Sequence, residues 1–496
     1  ILLGNNKLNF SAKNLENINN DTENKRVFKN NVVMSKDSLL VYSNIATHYP
    51  DSLKVFLNGN VIMYDSNDSL FCNQLILYDQ DLRHFIASGD VIFYRNSQVI
   101  KSEYLEYISL DNENDIKINI YDNGIIQDSL RIIKGDSIVV NYKDSTINDI
   151  KIKKNAQIYN YRYAKVDSND SKQIFEDFLS SKRMEVKFKN GNPYSIELDK
   201  MAITKLNVIK DTLLQGLNNV LGDSISIIMQ DQIIEKMYVY GQASGIFIPE
   251  KNNSSVESEV KYSANIINYL VNEEKTYLND NANVNYDNTI LNAGEIYVDW
   301  KKNFLEARIK DNIYPSVNGL GESPTYGEHL TYDFTTKRGK MIKGSTNYGQ
   351  GNNQMYYKGK KIYRNSSQTY HIYNSLLTSC DREHPHYYFK SKQMKMIPND
   401  RIIAKPMTLY LHDYPLVSIP FAVFPNKMGN RISGWIMPSF GNRSTTGTYV
   451  DDLGYYYAPN DYLDYRFLID IKDKGGIKYN NRLRYYQKSG ESWYQT

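Results

Sequence analysis

The chain of 496 residues has only two cysteines and a nearly even balance of charge. Two cysteines are too few for a fold that is built on disulfides. No apolar run approaches the roughly 18 residues that a membrane-spanning helix requires. Lys and Arg (59) nearly equal Asp and Glu (56), so the one-sided basic surface typical of nucleic-acid binding is not indicated. We therefore expect no nucleic-acid partner and no helical membrane span.

Both ends of the sequence are abrupt. No charged segment followed by an apolar one, as in a signal peptide, stands at Ile1. Trp493, Tyr494 and Thr496 fall within a pattern typical of a strand. We expect that the chain begins after a processed or truncated N-terminus and that its strand pattern continues beyond Thr496.

Tyrosine is abundant, with 43 residues, and short apolar runs are separated by Gly, Asn and Asp. Tyr, Ile and Val favour pleated surfaces, so an all-β fold is predicted. The segment around Gly59 (NGNVIMY) recurs 30 positions later around Gly89 (SGDVIFY). Looser repeats relate Gly135 to Gly222 and Gly294 to Gly327.

A period in this range predicts stacked supersecondary units, each of which needs its neighbours to cover its apolar face. The glycines suit corners at which φ is positive. Two stretches break the pattern, residues 173–182 and 209–221, and we expect short helices or loops there.

The apolar residues of the repeat have two interpretations. They form either the core of a β-sandwich or a long trough for acyl chains, and both require the same side chains. The candidate lipid contacts, chosen as a guess at the inward face, are Val61, Met63, Leu75, Leu77, Val91 and Phe93.

The two cysteines differ in their surroundings. Cys72 lies in an apolar strand pattern and is predicted to be a buried core thiol. Cys380 lies in a polar segment, where an unpaired thiol outside the cytoplasm would be a liability. A disulfide to a cysteine beyond Thr496 would explain it, and a bond between Cys72 and Cys380 stays open.

After Pro459 the pattern changes to clean alternation, with Leu468 as the exception. Leu463, Tyr465 and Ile469 fall on one strand face, while Asp464 and Arg466 fall on the other. Strands of about 10 residues with one aromatic face and one charged face are typical of a membrane β-barrel. A soluble sheet with one wet face gives the same pattern.

Five segments, taken in order, resemble the LptD family, also called OstA or organic solvent tolerance proteins. These segments are residues 378–381 (TSCD), 414–425 (YPLVSIPFAVFP), 433–438 (SGWIMP), 455–460 (YYYAPN) and 482–485 (RLRY). The resemblance covers about residues 376–490. The Gly-Asn/Asp-Val repeats before it resemble the OstA-type modules of the same family.

This resemblance implies a protein that assembles lipopolysaccharide in the outer membrane. It implies a periplasmic stacked β-jellyroll, or β-taco, which we place at residues 1–430. The first antiparallel strands of an outer-membrane β-barrel would follow at residues 431–496. The implied partners are lipopolysaccharide, a lipoprotein plug similar to LptE and a periplasmic bridge similar to LptA.

The resemblance also assigns three site residues. Cys380 matches a family cysteine that bonds to one near the C-terminal end of the barrel. Pro438 matches a proline of the first barrel strand, which removes a ladder donor and favours a lateral gate. Gly454 stands where the family commonly has a second gate proline, and glycine also weakens a strand.

No reactive constellation is found in the sequence. His384 and His386, flanked by Asp381 and Glu383, could hold a metal ion, but a turn at Pro385 explains them without one. We therefore predict a transport protein that is not an enzyme and has no cofactor. The alternatives are a soluble bridge module of β-repeats and a β-solenoid enzyme acting on carbohydrates.

Overall fold

The computed structural model describes residues 8–495, except for 21–22, 67, 79–83, 110–114, 252, 255, 288, 319–323, 349–354, 368, 398–399, 426–432, 437 and 488–489. Within these residues the regular structure consists of β-strands, so the predicted all-β class is confirmed. No helix that could cross a membrane occurs in this part of the chain. The chain divides into two compact units, Ile1–Thr276 and Tyr277–Thr496.

The first unit is a long antiparallel sheet in which consecutive strands from β3 to β16 are neighbours. The short strands β1 and β2 both pair with β3. The strands are β1 Asn9–Ser11, β2 Asn14–Asn20, β3 Glu23–Lys36, β4 Leu39–Tyr49, β5 Lys54–Asp65, β6 Asp68–Tyr78, β7 His84–Arg95, β8 Gln98–Ser109, β9 Ile116–Gln127, β10 Arg131–Lys143, β11 Thr146–Ala164, β12 Gln173–Lys189, β13 Asn192–Lys210, β14 Leu213–Gln230, β15 Ile233–Pro249 and β16 Val260–Leu270.

Every second strand from β3 to β15 bends at a corner of two residues whose φ angles are both positive. In β5 the corner is Gly59 (φ 79°) with Asn60 (49°), and in β7 it is Gly89 (75°) with Asp90 (50°). Glycine, asparagine and aspartate tolerate this left-handed conformation better than other residues. The prediction that Gly59 and Gly89 mark corners is confirmed.

The prediction of a positive φ was wrong for the other glycines of the sequence repeat. Gly135, Gly222, Gly294 and Gly327 do not have positive φ angles. They allow close packing instead: a Cβ built on Gly135 would stand 2.3 Å from Cγ2 of Ile152. Glycine is needed at these positions because atoms of neighbouring strands occupy the space that a side chain would take.

The corners fold the two halves of each bent strand against each other. Phe85 and Phe93 lie in β7 on opposite sides of its corner, and eight residues of straight strand would separate them by roughly 26 Å. Their ring centroids are 6.2 Å apart. We call the half of the sheet that contains Phe85 the first arm and the half that contains Phe93 the second arm. The inward side chains of both arms form one core.

The two stretches that break the sequence pattern are strands, and the expectation of helices or loops there was wrong. Residues 173–182 belong to β12, and residues 209–221 form the end of β13, a tight turn and the first half of β14. Strands β11 to β15 have 17 to 19 residues, against 11 to 13 for β4 to β10. The longer arms change the spacing of the repeat, which hid it in the sequence.

The second unit contains a shorter sheet with its own core. Its strands are β17 Lys275–Tyr286, which spans the boundary between the units, β18 Thr289–Asp299, β19 Phe304–Arg308, β20 Ser316–Asn318, β21 Thr325–Tyr326, β22 His329–Asp333, β23 Arg338–Tyr348, β24 Met355–Arg364, β25 Tyr370–Thr378, β26 Tyr387–Ile397, β27 Arg401–Leu411, β28 Tyr414–Ile419 and β29 Ala422–Pro425. Strands β22 to β27 are consecutive neighbours, and β27 also pairs with β28 and β29.

A six-stranded antiparallel sheet completes the second unit. Its strands are β30 Gly434–Ile436, β31 Ser439–Arg443, β32 Gly447–Tyr457, β33 Leu463–Lys472, β34 Gly476–Gln487 and β35 Gly490–Gln495. Both β30 and β31 pair with β32, and β33, β34 and β35 follow in order. Trp435 of β30 packs against the core of the preceding sheet, which includes Ile372, Met394 and Phe424. The first strand of this sheet is therefore attached to the sheet before it.

Candidate functional site

The six candidate lipid contacts lie together on the inward face of β5, β6 and β7. None of them is more than 3% exposed. Leu75 lies opposite Leu57 and Ala87, and Leu77 lies opposite Val55 and Phe85. The structure thus brings these residues into one continuous apolar interior, closed in this conformation, and their contact with lipid stays a prediction.

A polar and aromatic group, here called the Arg95 cluster, connects the two arms at one end of this interior. Arg95 forms an ion pair with Asp68, and its guanidinium lies 5.8 Å from the ring centre of Tyr107 and 5.3 Å from that of Tyr142. The Tyr142 hydroxyl donates a hydrogen bond to Gln98 over 3.3 Å. Burial raises the pKa of Tyr142 to about 12.

The Arg95 cluster spans the interior because its members come from both arms. Arg95 follows the corner of β7, on the second arm. Tyr107 lies opposite Phe85, on the first arm. The cluster therefore connects the free ends of the two arms, away from the corners.

A second group, the Tyr269 cluster, makes a similar connection in β14 to β16. The Tyr269 hydroxyl donates to the Tyr262 hydroxyl over 2.8 Å, and Tyr262 donates to Oδ1 of Asn218 over 2.5 Å. Burial raises the pKa of Tyr262 to about 12 and that of Tyr269 well above its ordinary value. Gly245 lies opposite Tyr262, and a Cβ there would stand 2.2 Å from the Tyr262 hydroxyl oxygen.

A buried carboxylate interrupts the apolar interior between these clusters. Asp177 of β12 is 2% exposed and pairs with Arg162 of β11, with 2.5 Å between Nε and Oδ2. It also accepts hydrogen bonds from the backbone N–H (2.8 Å) and side-chain amide (3.0 Å) of Asn207. Because each of these groups joins side chains from different strands, no local pattern predicted any of them.

Both cysteines are free thiols in this structure. Cys72 is buried on β6, which confirms the predicted core thiol, and burial raises its pKa to about 12. Cys380 is partly exposed just after β25. Its backbone N–H donates to Oγ1 of Thr378 over 3.1 Å, and its sulfur lies 3.6 Å from Nδ1 of His386. The disulfide that the resemblance implies for Cys380 stays a prediction.

Tyr387 connects the Cys380 segment to the six-stranded sheet. Its hydroxyl forms a hydrogen bond with Ser379, and its backbone carbonyl accepts one from Thr378 over 2.7 Å. Its ring centroid lies 4.0 Å from that of Phe440 on β31. Burial raises the pKa of Tyr387, so the hydroxyl stays protonated at neutral pH. Tyr387 therefore contacts both the Cys380 segment and β31.

Pro438 directly precedes β31 of the six-stranded sheet. Ile436 of β30 pairs with Gly454, and Ser439 of β31 pairs with Asp451, so both strands keep the same register on β32. Proline has no N–H to donate to a ladder. Among the described strands, β30 and β31 pair only with β32, so their other edge is available to a further strand.

Gly454 lies opposite Ile436, two residues before Pro438, and has no room for a side chain. A Cβ at this position would stand 1.9 Å from the carbonyl oxygen of Phe467 and 2.7 Å from Cδ2 of Leu468. Any other residue, proline included, would have to push β33 away. The structure thus places Pro438 and Gly454 close together on adjacent strands, and their part in a gate stays a prediction.

The six-stranded sheet exposes its apolar face. Tyr465 lies opposite Leu483, Ile469 opposite Tyr479, and Ile471 opposite Ile477. Ile477 is 59% exposed and Tyr479 is 60% exposed, whereas Asp464 on the opposite face is 1% exposed and pairs with Arg484. A contiguous apolar face of this kind marks a surface that contacts protein or lipid.

The histidine-rich turn carries no metal-binding arrangement among the described residues. His384, Asp381 and Glu383 are exposed, and no group of three or more His, Cys, Asp or Glu side chains in the described ranges could hold an ion. His386 instead accepts a backbone hydrogen bond from His412 through its carbonyl oxygen, over 2.9 Å.

Comparison with known proteins gives one family match. Residues 402–490 match the family model that is described as LptD protein. This segment begins within β27 and ends at the start of β35, so it contains Pro438 and Gly454 but not Cys380. The resemblance predicted from the sequence is confirmed over these residues. No curated protein matches the chain.

Proposed function

We propose, from the match of residues 402–490 to the LptD family model, that this chain takes part in lipopolysaccharide transport and assembly at the outer membrane. The family match is the observation that carries this proposal. The bent sheet of the first unit would receive the acyl chains, and the six-stranded sheet would begin the membrane-embedded part of the protein.

The interior of the bent sheet supports a role in acyl-chain binding. It runs as a lining of Leu, Ile, Val and Phe side chains between two arms, and burial of an acyl chain is worth about 0.8 kcal/mol per CH₂. Because the lining residues are already buried against one another, an acyl chain can enter only if the arms separate. Opening would expose Val61, Leu77 and Phe93 to the lipid.

The polar connections between the arms indicate how opening would proceed. The Arg95 and Tyr269 clusters join the free ends of the arms, while the corners hold the opposite side. The arms would therefore separate at the clusters and pivot at the corners. The buried Asp177 would divide the interior into two stretches, since an acyl chain gains nothing by contact with a carboxylate.

Pro438, which directly precedes β31, supports a lateral exit. Pro438 weakens the edge of the sheet at β30 and β31, the edge that a closing strand would use. Under the proposed function, lipid would leave the protein between β30 and β31 on one side and the closing strand on the other. Cys380 would form its disulfide near this point and connect through Tyr387 to β31.

The proposed partners follow from the family alone. They are lipopolysaccharide, a lipoprotein plug similar to LptE and a periplasmic bridge similar to LptA, with the first unit in the periplasm. The exposed apolar face around Tyr479 supports this function, because a membrane-embedded sheet turns such a face to lipid.

Site-specific photocrosslinking in cells tests the proposal. A crosslinker at Leu77, on the inward face of β6, is expected to capture lipopolysaccharide when the arms open. The matched control is Ile76, the adjacent residue on the outward face of the same strand. Equal capture at both positions, or capture at neither Leu77 nor Val91, would contradict an acyl-chain trough between the arms.

A further inference from the structure

Positive charge is concentrated in one segment of the second unit. From Lys337 to Lys405, fourteen Lys and Arg residues stand against three Asp and Glu residues, although the whole chain has 59 against 56. This segment forms β23 to β27. The nearly even charge of the whole chain therefore does not reveal the excess of positive charge in residues 337–405.

The strand register places part of this charge on one outward surface. Lys361 lies opposite Tyr373, and Tyr363 lies opposite His371. The intervening residues Ile362 and Ile372 point the other way, into the core of this sheet. Because side chains alternate along a strand, the lysine, histidine and tyrosines share the outer face.

The outer face continues with basic residues on both neighbouring strands. Lys340 of β23 lies opposite Tyr363, and Lys395 of β26 lies opposite His371. Both lysines are exposed. A row of the form Lys-Tyr-His-Lys therefore crosses four strands.

An open cavity of about 610 Å³ lies on this face. Its lining consists of Lys360, Lys361, Tyr363, His371, Tyr373 and Asn374. The rings of Tyr363 and Tyr373 meet edge to face at 5.7 Å and form one side. Asn374 has a φ of 49° and bends β25 at this point.

The lining carries donors without an acidic partner. No carboxylate lines the cavity. Within the described ranges neither Lys360 nor Lys361 forms an ion pair, whereas Lys343 of β23 pairs with Glu328 over 2.9 Å. Ammonium and phenol groups that converge on an open space suit a ligand with several anionic oxygens.

We propose that this cavity binds a phosphate group carried on a sugar or lipid head group. Lys360 and Lys361 would contact the phosphate oxygens, and the hydroxyls of Tyr363 and Tyr373 would donate to the phosphate or to adjoining hydroxyls. The identity of the carrier rests on the proposed function, under which a phosphorylated glycolipid passes this unit, but the phosphate site itself does not.

Titration of the purified full-length protein with glucose 1-phosphate, compared with glucose, tests the site. Binding is expected for the phosphate only. The double variant K360Q/K361Q is expected to weaken it about ten-fold, since two charge-assisted hydrogen bonds are lost. The matched control K301Q/K337Q removes the same charge from exposed turns of the same unit and is expected to bind as the wild type does.

Equal loss in K360Q/K361Q and K301Q/K337Q, or equal binding of glucose and glucose 1-phosphate, would overturn the site. A second set of titrations compares vesicles with and without phosphatidylglycerol. Binding that needs the vesicle identifies a membrane head group, and binding of the free sugar phosphate identifies the phosphosugar. Capture of lipopolysaccharide at Leu77 with no phosphate binding would reject the cavity alone, and the converse would reject the trough alone.

Discussion

At the scale of single residues, the space left by neighbouring strands restricts the residue type at Gly454 more than its backbone conformation does. Gly454 was expected to act as a strand-weakening residue in place of a proline. The structure gives it another reason: the carbonyl oxygen of Phe467 occupies the position that a side chain would need. Glycine is therefore required by the neighbouring strand, whatever its role in a gate.

We predict that Gly454→Ala destabilises the six-stranded sheet by about 1–3 kcal/mol, the usual cost of an added group in a packed position. Gly339→Ala is the matched control, because a Cβ there has its nearest neighbour at 3.5 Å and meets no clash. Resistance of residues 433–487 to limited proteolysis measures the effect. Equal resistance of the two variants would show that β33 moves aside without cost.

At the scale of secondary-structure elements, the corners and the clusters have opposite origins. The corners at Gly59 and Gly89 follow from local backbone preference, and the sequence repeat reports them. The Arg95 and Tyr269 clusters form only because corners of this kind, Gly89 in β7 and Gly241 in β15, fold one arm onto the other. Strand β7 thus contains both a corner of local origin, at Gly89, and a member of a tertiary cluster, Arg95.

We predict that Tyr262→Phe costs more stability than Tyr269→Phe. The first change removes the acceptor of the Tyr269 hydroxyl and the donor to Asn218, at about 1–3 kcal/mol for each buried polar group left unpaired. The second leaves the bond from Tyr262 to Asn218 in place. Urea unfolding midpoints of the two variants measure the order, and a larger loss for Tyr269→Phe would contradict it.

The same cluster sets a pH dependence. The pKa of Tyr262 is about 12 in the folded protein against an ordinary value of 10.0. Between these values the unfolded chain releases a proton that the folded protein keeps, so the contribution to stability falls as pH rises from 10 to 12. In Tyr262→Phe the free energy of unfolding is expected to fall less between pH 10 and pH 12 than it does in the wild type.

At the scale of the whole molecule, the two kinds of sheet use apolar side chains in opposite ways. The bent sheet of the first unit buries them between its arms. The six-stranded sheet exposes them, with Tyr479 and Ile477 on the outer face and Asp464 on the covered one. This inversion is what a protein needs if part of it faces water and part faces lipid.

We predict that Tyr479→Lys impairs membrane assembly of the full-length protein, because a lysine on a lipid-facing strand costs about 2–4 kcal/mol near the middle of the bilayer. The control, Asn480→Lys, places the same charge on the opposite face of β34 and is expected to assemble normally. Membrane fractionation and heat-modifiable gel mobility measure assembly. Normal assembly of Tyr479→Lys would place that face in contact with water or protein.

Much of the fold is accessible from the sequence because strands and turns are local. The alternation of β33 and β34 and the corner residues Gly59 and Gly89 were predicted correctly. The strands at residues 173–182 and 209–221 were missed because longer arms break the period there. The Arg95 cluster, Asp177 and the cavity at Lys361 were missed because each joins residues from different strands.

The sequence by itself determined the β class, the corners at Gly59 and Gly89, the change of pattern after Pro459 and the match of residues 402–490 to the LptD family model. Each of these depends on side-chain preferences or motifs within a few neighbouring residues. Only the tertiary structure decided that Leu77 and Phe93 are buried, that Gly454 has no room for a side chain, and that lysines and tyrosines meet around one cavity. These features depend on distances between strands, which no local pattern contains.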